Sequence, residues 1–343
     1  MAPGARPLAS DVGSYGLRLA GAIFIGLMVE ILRGAPLPPL APIIALQLLA
    51  APGPAPPGKL AVGLLGLVAL SSGLAYAVAL ITTQTYALYA AGSFLVYLWG
   101  FGLAFLPGAA GAAGGLALTM GIVVMGQAAS STGLAAFIVA QLLVSAALGL
   151  GLVYAMHAAF PHLGPRPPRP PMPEGARSPG ARAVVAALVM MPLHLYLTAG
   201  GGAALVVLIT AATLLRQPDM ASGVKHAADF ALGNLMGGLL AAATVAVAVI
   251  RPEMPAVAAA LAPAALLVGW RMAARRAAGS RLLPGAIAFT LFFGLAFSAI
   301  PGSDDVQALT RVAMICGASL YVAGAVSLFT PRRPSAPPSL PAA

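Results

Sequence analysis

Three ionisable side chains stand in an otherwise apolar chain at places where burial would be costly: Glu30, His194 and Asp229. A charge at membrane depth marks a functional candidate by default. Glu30 could hold or release a proton or cation. Arg33, three residues on and on the same helical face, could equally just neutralise it. His194 lies 164 residues after Glu30, at the matching place in the second half of the chain. Histidine titrates near neutrality, so a Glu/His couple across a pseudo-two-fold axis would suit proton-driven chemistry. A lone histidine on an apolar helix serves equally well as hydrogen-bonded structure. Asp229 shares a helical face with Lys225, as its salt-bridge partner or as a relay group.

A second set could attract an anion. Lys59 and Lys225 are the only two lysines, and each opens an apolar segment 166 residues from the other. They could draw an anion into a vestibule, or they could snorkel to headgroups. Arg18 and Arg182, 164 residues apart, open the first segment of each half. Gln47 and Thr213 lie midway through two short apolar runs as candidate pore-lining polar groups. Gln127, Gln141 and Asn234 can serve as hydrogen-bonding glue between helices.

The elements that must position these residues are membrane helices. Of 343 residues, 60% are hydrophobic and 8% charged, and the mean hydropathy is +0.95. That composition belongs to a polytopic membrane protein of all-α class. The net charge of +10 is not accompanied by a basic patch interleaved with aromatics, so nucleic acid is not the expected partner. The single cysteine, Cys316, excludes an intrachain disulfide framework and any CxxC site. There is no Walker A motif, HExxH, aspartate-rich pair or GxSxG elbow, so neither an enzyme nor a metal or other cofactor is expected.

Apolar segments fall at about 16–32, 37–51, 60–82, 86–106, 110–128 and 133–156, then at about 182–199, 201–215, 225–250, 254–272, 282–300 and 306–330. The expected architecture is therefore twelve transmembrane segments as two parallel six-helix repeats, 16–156 and 182–330. Residues 1–15 read as a cytoplasmic tail, 157–181 as a Pro/Arg-rich cytoplasmic linker and 331–343 as a disordered cytoplasmic tail. With the N-terminus inside, fifteen of the eighteen Lys and Arg residues fall on the cytoplasmic side, leaving Arg33, Arg251 and Arg311 outside. The second and eighth segments are too short to span. Leu37–Lys59 reads LPPLAPIIALQLLAAPGPAPPGK, an apolar dozen between proline clusters, and its counterpart follows Gly200-Gly201-Gly202. Broken or half-depth helices line cavities, and these two should lie face to face near the axis. The major facilitator type is the competing fold. Its glycine- and charge-rich loop would fall at residues 50–60, where the chain reads AAPGPAPPGKL with one cation and no acid.

The opening LRLAGAIFIGLMVE, the Leu37–Lys59 block and the six-plus-six repeat resemble the fusaric-acid-resistance-like membrane proteins, a superfamily that includes aromatic acid exporters. The likeness covers most of residues 14–330, and its sharpest motif is Leu40–Lys59. It implies a bacterial inner-membrane exporter of organic, including aromatic, acids. It also implies co-operation with a periplasmic membrane-fusion protein and an outer-membrane channel. The family's well-known exporters carry a sizeable soluble domain after each membrane half. Here the linker is about two dozen residues, which leaves substrate and coupling open. A passive anion channel and a non-transporting scaffold for a periplasmic adaptor are the competing readings.

Overall fold

The computed structural model describes residues 9–50, 53–107, 109–162, 178–199, 204–216, 223–274 and 282–298, with short pieces between 317 and 325. Eleven α-helices and no strand occur among them. They are α1 (Ala9–Leu32), α2 (Leu40–Ala50), α3 (Gly58–Thr82), α4 (Tyr86–Ala104), α5 (Ala109–Ala128), α6 (Thr132–Ala159), α7 (Pro179–Ala199), α8 (Ala204–Leu215), α9 (Gly223–Ile250), α10 (Met254–Ala274) and α11 (Leu283–Leu295). The side chains of Lys225 and Asp229, in the first turns of α9, lie outside the described residues.

Seven of these helices are long and apolar enough to cross a membrane: α1, α3, α4, α6, α7, α9 and α10. Twelve segments are expected, two of them too short to span, and seven helices of spanning length occur among the described residues. The shorter apolar helices are Leu40–Ala50, Ala113–Ala128 and Leu283–Leu295, and α8 has 12 residues. The eleventh segment stops at Leu295 instead of reaching 300, because the chain turns at Ala296 and Phe297. Most of the twelfth segment lies outside the described residues. At the other end, α1 begins at Ala9, inside the expected tail. Large apolar side chains such as Leu70, Ile81, Leu95, Tyr196, Leu239 and Ile250 face outward. On a soluble surface such a coat would be a liability; in lipid it costs nothing.

Local signals set the ends. Thr85 and Ser131 are N-caps whose side chains accept from the backbone N–H of Leu88 and Leu134. Gly34, at φ +64°, takes the left-handed conformation that stops α1, and Ala35 N–H closes back on the Glu30 carbonyl. The prolines that follow keep the chain out of helix until Leu40. With 11 residues, α2 is about 16 Å long at 1.5 Å per residue, half of a hydrocarbon core of about 30 Å.

This half-depth helix is buried along nearly its whole length. Glycines on both neighbours make room for it. A Cβ on Gly149 of α6 would lie 2.8 Å from the Ala41 carbonyl oxygen, and one on Gly26 of α1 would lie 2.8 Å from Pro42 Cβ. Its exit is strapped down as well. Tyr15 donates to the Ala50 carbonyl, Tyr154 to that of Pro56, and His157 Nε2 lies 3.2 Å from that of Gly53.

The two halves of the chain interleave. Helix α1 packs along α10, and α4 packs along α7; α2 meets α11, and α5 meets α8. Small residues bring the backbones together, as is usual for membrane helices. At the α1–α10 crossing, a Cβ on Gly269 would collide with the Gly16 carbonyl oxygen. Where α9 crosses α11, one on Gly237 would collide with the Gly285 carbonyl oxygen. Both short helices are interior, but they do not form a packed pair. Helix α2 sits on α6 and α1, whereas α8 sits on α7 and α5.

Candidate functional site

Glu30 lies in the last full turn of α1 with no solvent exposure. A bare carboxylate there would be prohibitively costly, and the neighbouring residues compensate it. Arg33 Nε donates to Glu30 Oε2 at 2.6 Å. The other two nitrogens of the same guanidinium reach across to α6, Nη1 to Gln141 Oε1 at 2.8 Å and Nη2 to Ser145 Oγ at 3.1 Å. This ion pair, the one found among the described residues, ties α1 to α6. Glu30 Oε1, equally buried, has no hydrogen-bond partner. Arg33 stays 26% exposed, so the pair has one face toward the outside of the bundle.

His194, also fully buried, sits in a separate polar cluster on α7 and α4. Pro192, two residues before it, interrupts the backbone ladder of α7. Helix α4 presents Tyr89, Ser93 and Tyr97 at four-residue spacing, one face of a helix. His194 Nε2 lies 2.8 Å from Tyr89 Oη and 3.2 Å from Ser93 Oγ, and Nδ1 lies 2.6 Å from Tyr97 Oη. Tyr89 gives its own proton to the Met125 carbonyl of α5, so toward His194 its oxygen can only accept. Nε2 is therefore the protonated nitrogen. In the neutral ring Nδ1 accepts from Tyr97, and the hydroxyls of Tyr89 and Tyr97 and the ring N–H each have an acceptor. A second ring proton would leave the Tyr97 O–H facing a donor, and it has no other hydrogen bond among the described residues. His194 thus joins α4, α5 and α7.

The expected Glu30–His194 couple does not form. Glu30 turns to α6 and His194 to α4, and α1 and α7 are not a packed pair.

The other candidates scatter. Lys59 is exposed in the first turn of α3. Gln47 is half-buried on α2. Thr213 Oγ1 donates to its own helix at the Ile209 carbonyl, so its proton is spent locally. Arg18 is buried, with its guanidinium carbon 5.9 Å from the centre of the Tyr15 ring. Arg182, half-buried, lays its guanidinium over the Phe105 ring at 4.1 Å. Lys225 and Asp229 lie outside the described side chains.

Two features escaped the sequence reading. The Tyr89, Ser93 and Tyr97 face was visible as spacing, but nothing in the sequence pointed it at His194. Arg216, counted only as a cytoplasmic cation, presses its guanidinium onto the backbone of Gly115 in α5. A Cβ at 115 would overlap its Cζ and both terminal nitrogens. Among the described residues no group of three or more His, Cys, Asp or Glu could hold a metal ion. No family model, curated protein or solved structure matches the chain.

Proposed function

We propose that the chain is a membrane transporter, a carrier coupling protons to the outward movement of an organic acid, with Glu30 as its proton site. The observation that carries this reading is the half-satisfied carboxyl. One oxygen of Glu30 is held by Arg33, and the other is buried with no partner. The oxygen without a partner is the one open to a proton. Its occupancy decides whether the Arg33 guanidinium faces a carboxylate of its own chain or is free for an anion from outside. His194, with both nitrogens engaged, supports the α4–α7 contact.

In this reading the chain forms two parallel six-helix repeats, twelve segments in all, within the fusaric-acid-resistance-like superfamily. The interleaved packing supports it. Exchanging the halves converts the α1–α10 contact into α7–α4 and α2–α11 into α8–α5, and all four contacts occur. An offset of 164 carries Gly16 onto Gly180, Arg18 onto Arg182 and Phe105 onto Gly269. The α1–α10 crossing at Gly16 and Gly269 thus corresponds to the α7–α4 contact, where Arg182 covers the Phe105 ring. The twelfth segment is represented by Tyr321, which donates to the Val189 carbonyl of α7 much as α6 lies along α1. Charge asymmetry supports a bacterial inner membrane with both termini cytoplasmic. Periplasmic and outer-membrane partners belong to the family reading and rest on it alone.

Flux of an aromatic acid such as benzoate from proteoliposomes, with and without a pH gradient, tests the function. Gradient-driven flux that Glu30→Gln abolishes is the expected result. Flux indifferent to the gradient would make the protein a passive anion channel. No flux under either condition would leave the scaffold reading.

A further inference from the structure

The segment that follows α2 is poor in donors of its own. Pro52, Pro54, Pro56 and Pro57 have no N–H, so the carbonyls of this strap must find donors elsewhere or stay in water. Side chains from other helices meet three of them. The carbonyls of Ala50, Gly53 and Pro56 accept from Tyr15, His157 and Tyr154 in turn. These carbonyls are three residues apart, the repeat of polyproline II, and Pro57 ends the strap in that conformation at φ −62° and ψ 147°. The two phenols each give their one proton to one carbonyl. His157 faces two.

His157 stands in the last turn of α6, with Nδ1 2.8 Å from the Val153 carbonyl oxygen of its own helix and Nε2 3.2 Å from that of Gly53. A carbonyl only accepts, so each bond needs a proton on the ring nitrogen that makes it. Neutral imidazole has one N–H and makes one of the two bonds; imidazolium makes both. The end of a helix also carries partial negative charge, which favours a cation in its last turn. With 28 residues, α6 is about 42 Å long against a hydrocarbon core of about 30 Å, so its end can stand where protons exchange with water. Helices α1, α2, α3 and α5 pack on α6. At this end their described ionisable side chains are Tyr15 and Arg18 on α1 and Lys59 on α3; α2 and α5 have none, and the chain beside His157 adds Tyr154 and His162. The Asp11 side chain lies outside the described residues. Gly21, one turn after Arg18, meets Met156 beside His157. Arg18 and Lys59 thus oppose a second ring proton, and the two carbonyls and the helix end favour it.

We propose that His157 is a proton-operated latch on the exit of α2, tying the strap to α6 when its ring carries two protons and releasing it when the ring carries one. The Val153 bond, shorter and within one helix, is the one a neutral ring keeps, so loss of the second proton frees the Gly53 carbonyl. Histidine changes charge near neutrality, so the strap is tight on the acid side and looser on the alkaline side of the compartment at this end of the bundle. What the latch governs is the freedom of the half-depth helix, which the strap continues. It does not depend on Glu30 or on transport, and would operate equally in a carrier, a channel or a scaffold.

Two measurements on the full-length protein in nanodiscs test this. A nitroxide on Ala55→Cys, in a Cys316→Ser background, reports the mobility of the strap, and nitrogen–proton correlation spectra of histidine-labelled protein report the ring protons. At about pH 5.5 His157 is expected to show both ring N–H signals, identified by their loss in His157→Gln, and the strap label should be immobilised. At about pH 8.5 one ring signal should remain, and the ratio of mobile to immobile label should rise about tenfold, the scale of one lost charge-assisted hydrogen bond. His157→Gln keeps a side-chain donor but cannot titrate, so its strap should no longer respond to pH. Tyr154→Phe removes a different strap bond and should loosen the strap at both pH values while keeping the response. The proposal falls if the ring shows a single N–H at about pH 5.5, if the wild-type label is indifferent to pH, or if the response survives in His157→Gln. Far-ultraviolet circular dichroism identifies any variant that fails to fold. His157→Asn then replaces His157→Gln, and the label response with His157 in place needs no His157 variant.

Discussion

Removing Arg33 should cost more than removing its partner, and removing both should restore part of the loss. In Arg33→Ala the carboxylate of Glu30, with no solvent exposure, loses the Arg33 hydrogen bond and its counter-charge together. Gln141 and Ser145 lose a donor at the same stroke. Breaking a buried pair from one side costs about 3–5 kcal/mol, and the 26% exposure of Arg33 places this case near the lower end, about 3 kcal/mol. Glu30→Gln keeps an acceptor for Arg33 Nε and both bonds to α6. It should cost about 1 kcal/mol, the net worth of an ordinary hydrogen bond. In the double variant no charge is buried, so it should be about 1–2 kcal/mol more stable than Arg33→Ala alone. Reversible unfolding in mixed micelles, followed by circular dichroism against the mole fraction of dodecyl sulfate, measures all three. A double variant no more stable than Arg33→Ala would refute the argument that Glu30 is a buried anion held by Arg33.

Two further outcomes follow from the packing. Tyr97→Phe deletes the donor to His194 Nδ1 and leaves a buried nitrogen unsatisfied, so it should destabilise by about 1–3 kcal/mol in the same assay, while Tyr196→Phe, on an exposed ring, should change nothing. Gly237→Ala drives a methyl group into a backbone oxygen of α11 and should cost about 1–3 kcal/mol, whereas Gly73→Ala, with open space around it, should be neutral or stabilising by up to about 1 kcal/mol; equal effects would contradict the α9–α11 crossing.

The helices were legible because their punctuation is strong. Thr85, Ser131, Gly34 and the prolines around α2 each set an end by a local rule, and from α2 through α10 the expected segments fall within a few residues of the observed ones. The Glu30–Arg33 pair was legible for the same reason, since three residues apart on a helix is a fixed geometry. What could not be read was which helix faces which. An offset of 164 pairs Glu30 with His194 in the sequence, but a shared offset is not proximity. Partners in other helices decided their roles: Gln141 and Ser145 for one, and Tyr89, Ser93 and Tyr97 for the other. Arg216 was hidden more deeply, because its seat is a glycine, which carries no side chain for a pattern to register.

The interleaving of the halves has a consequence for how the protein is made. Tyr97 and His194 are 97 residues apart in the chain. At about 5–20 residues per second of synthesis, α4 waits about 5–20 s in the bilayer before the imidazole that satisfies its hydroxyl face emerges. Helix α1 waits longer for α10. Through that interval the first half exposes the Tyr97 hydroxyl and the glycine-notched face of α1 to lipid, to the insertion machinery or to another nascent chain. Closure therefore runs from the middle of the sequence outward: the first helix made is among the last to be covered.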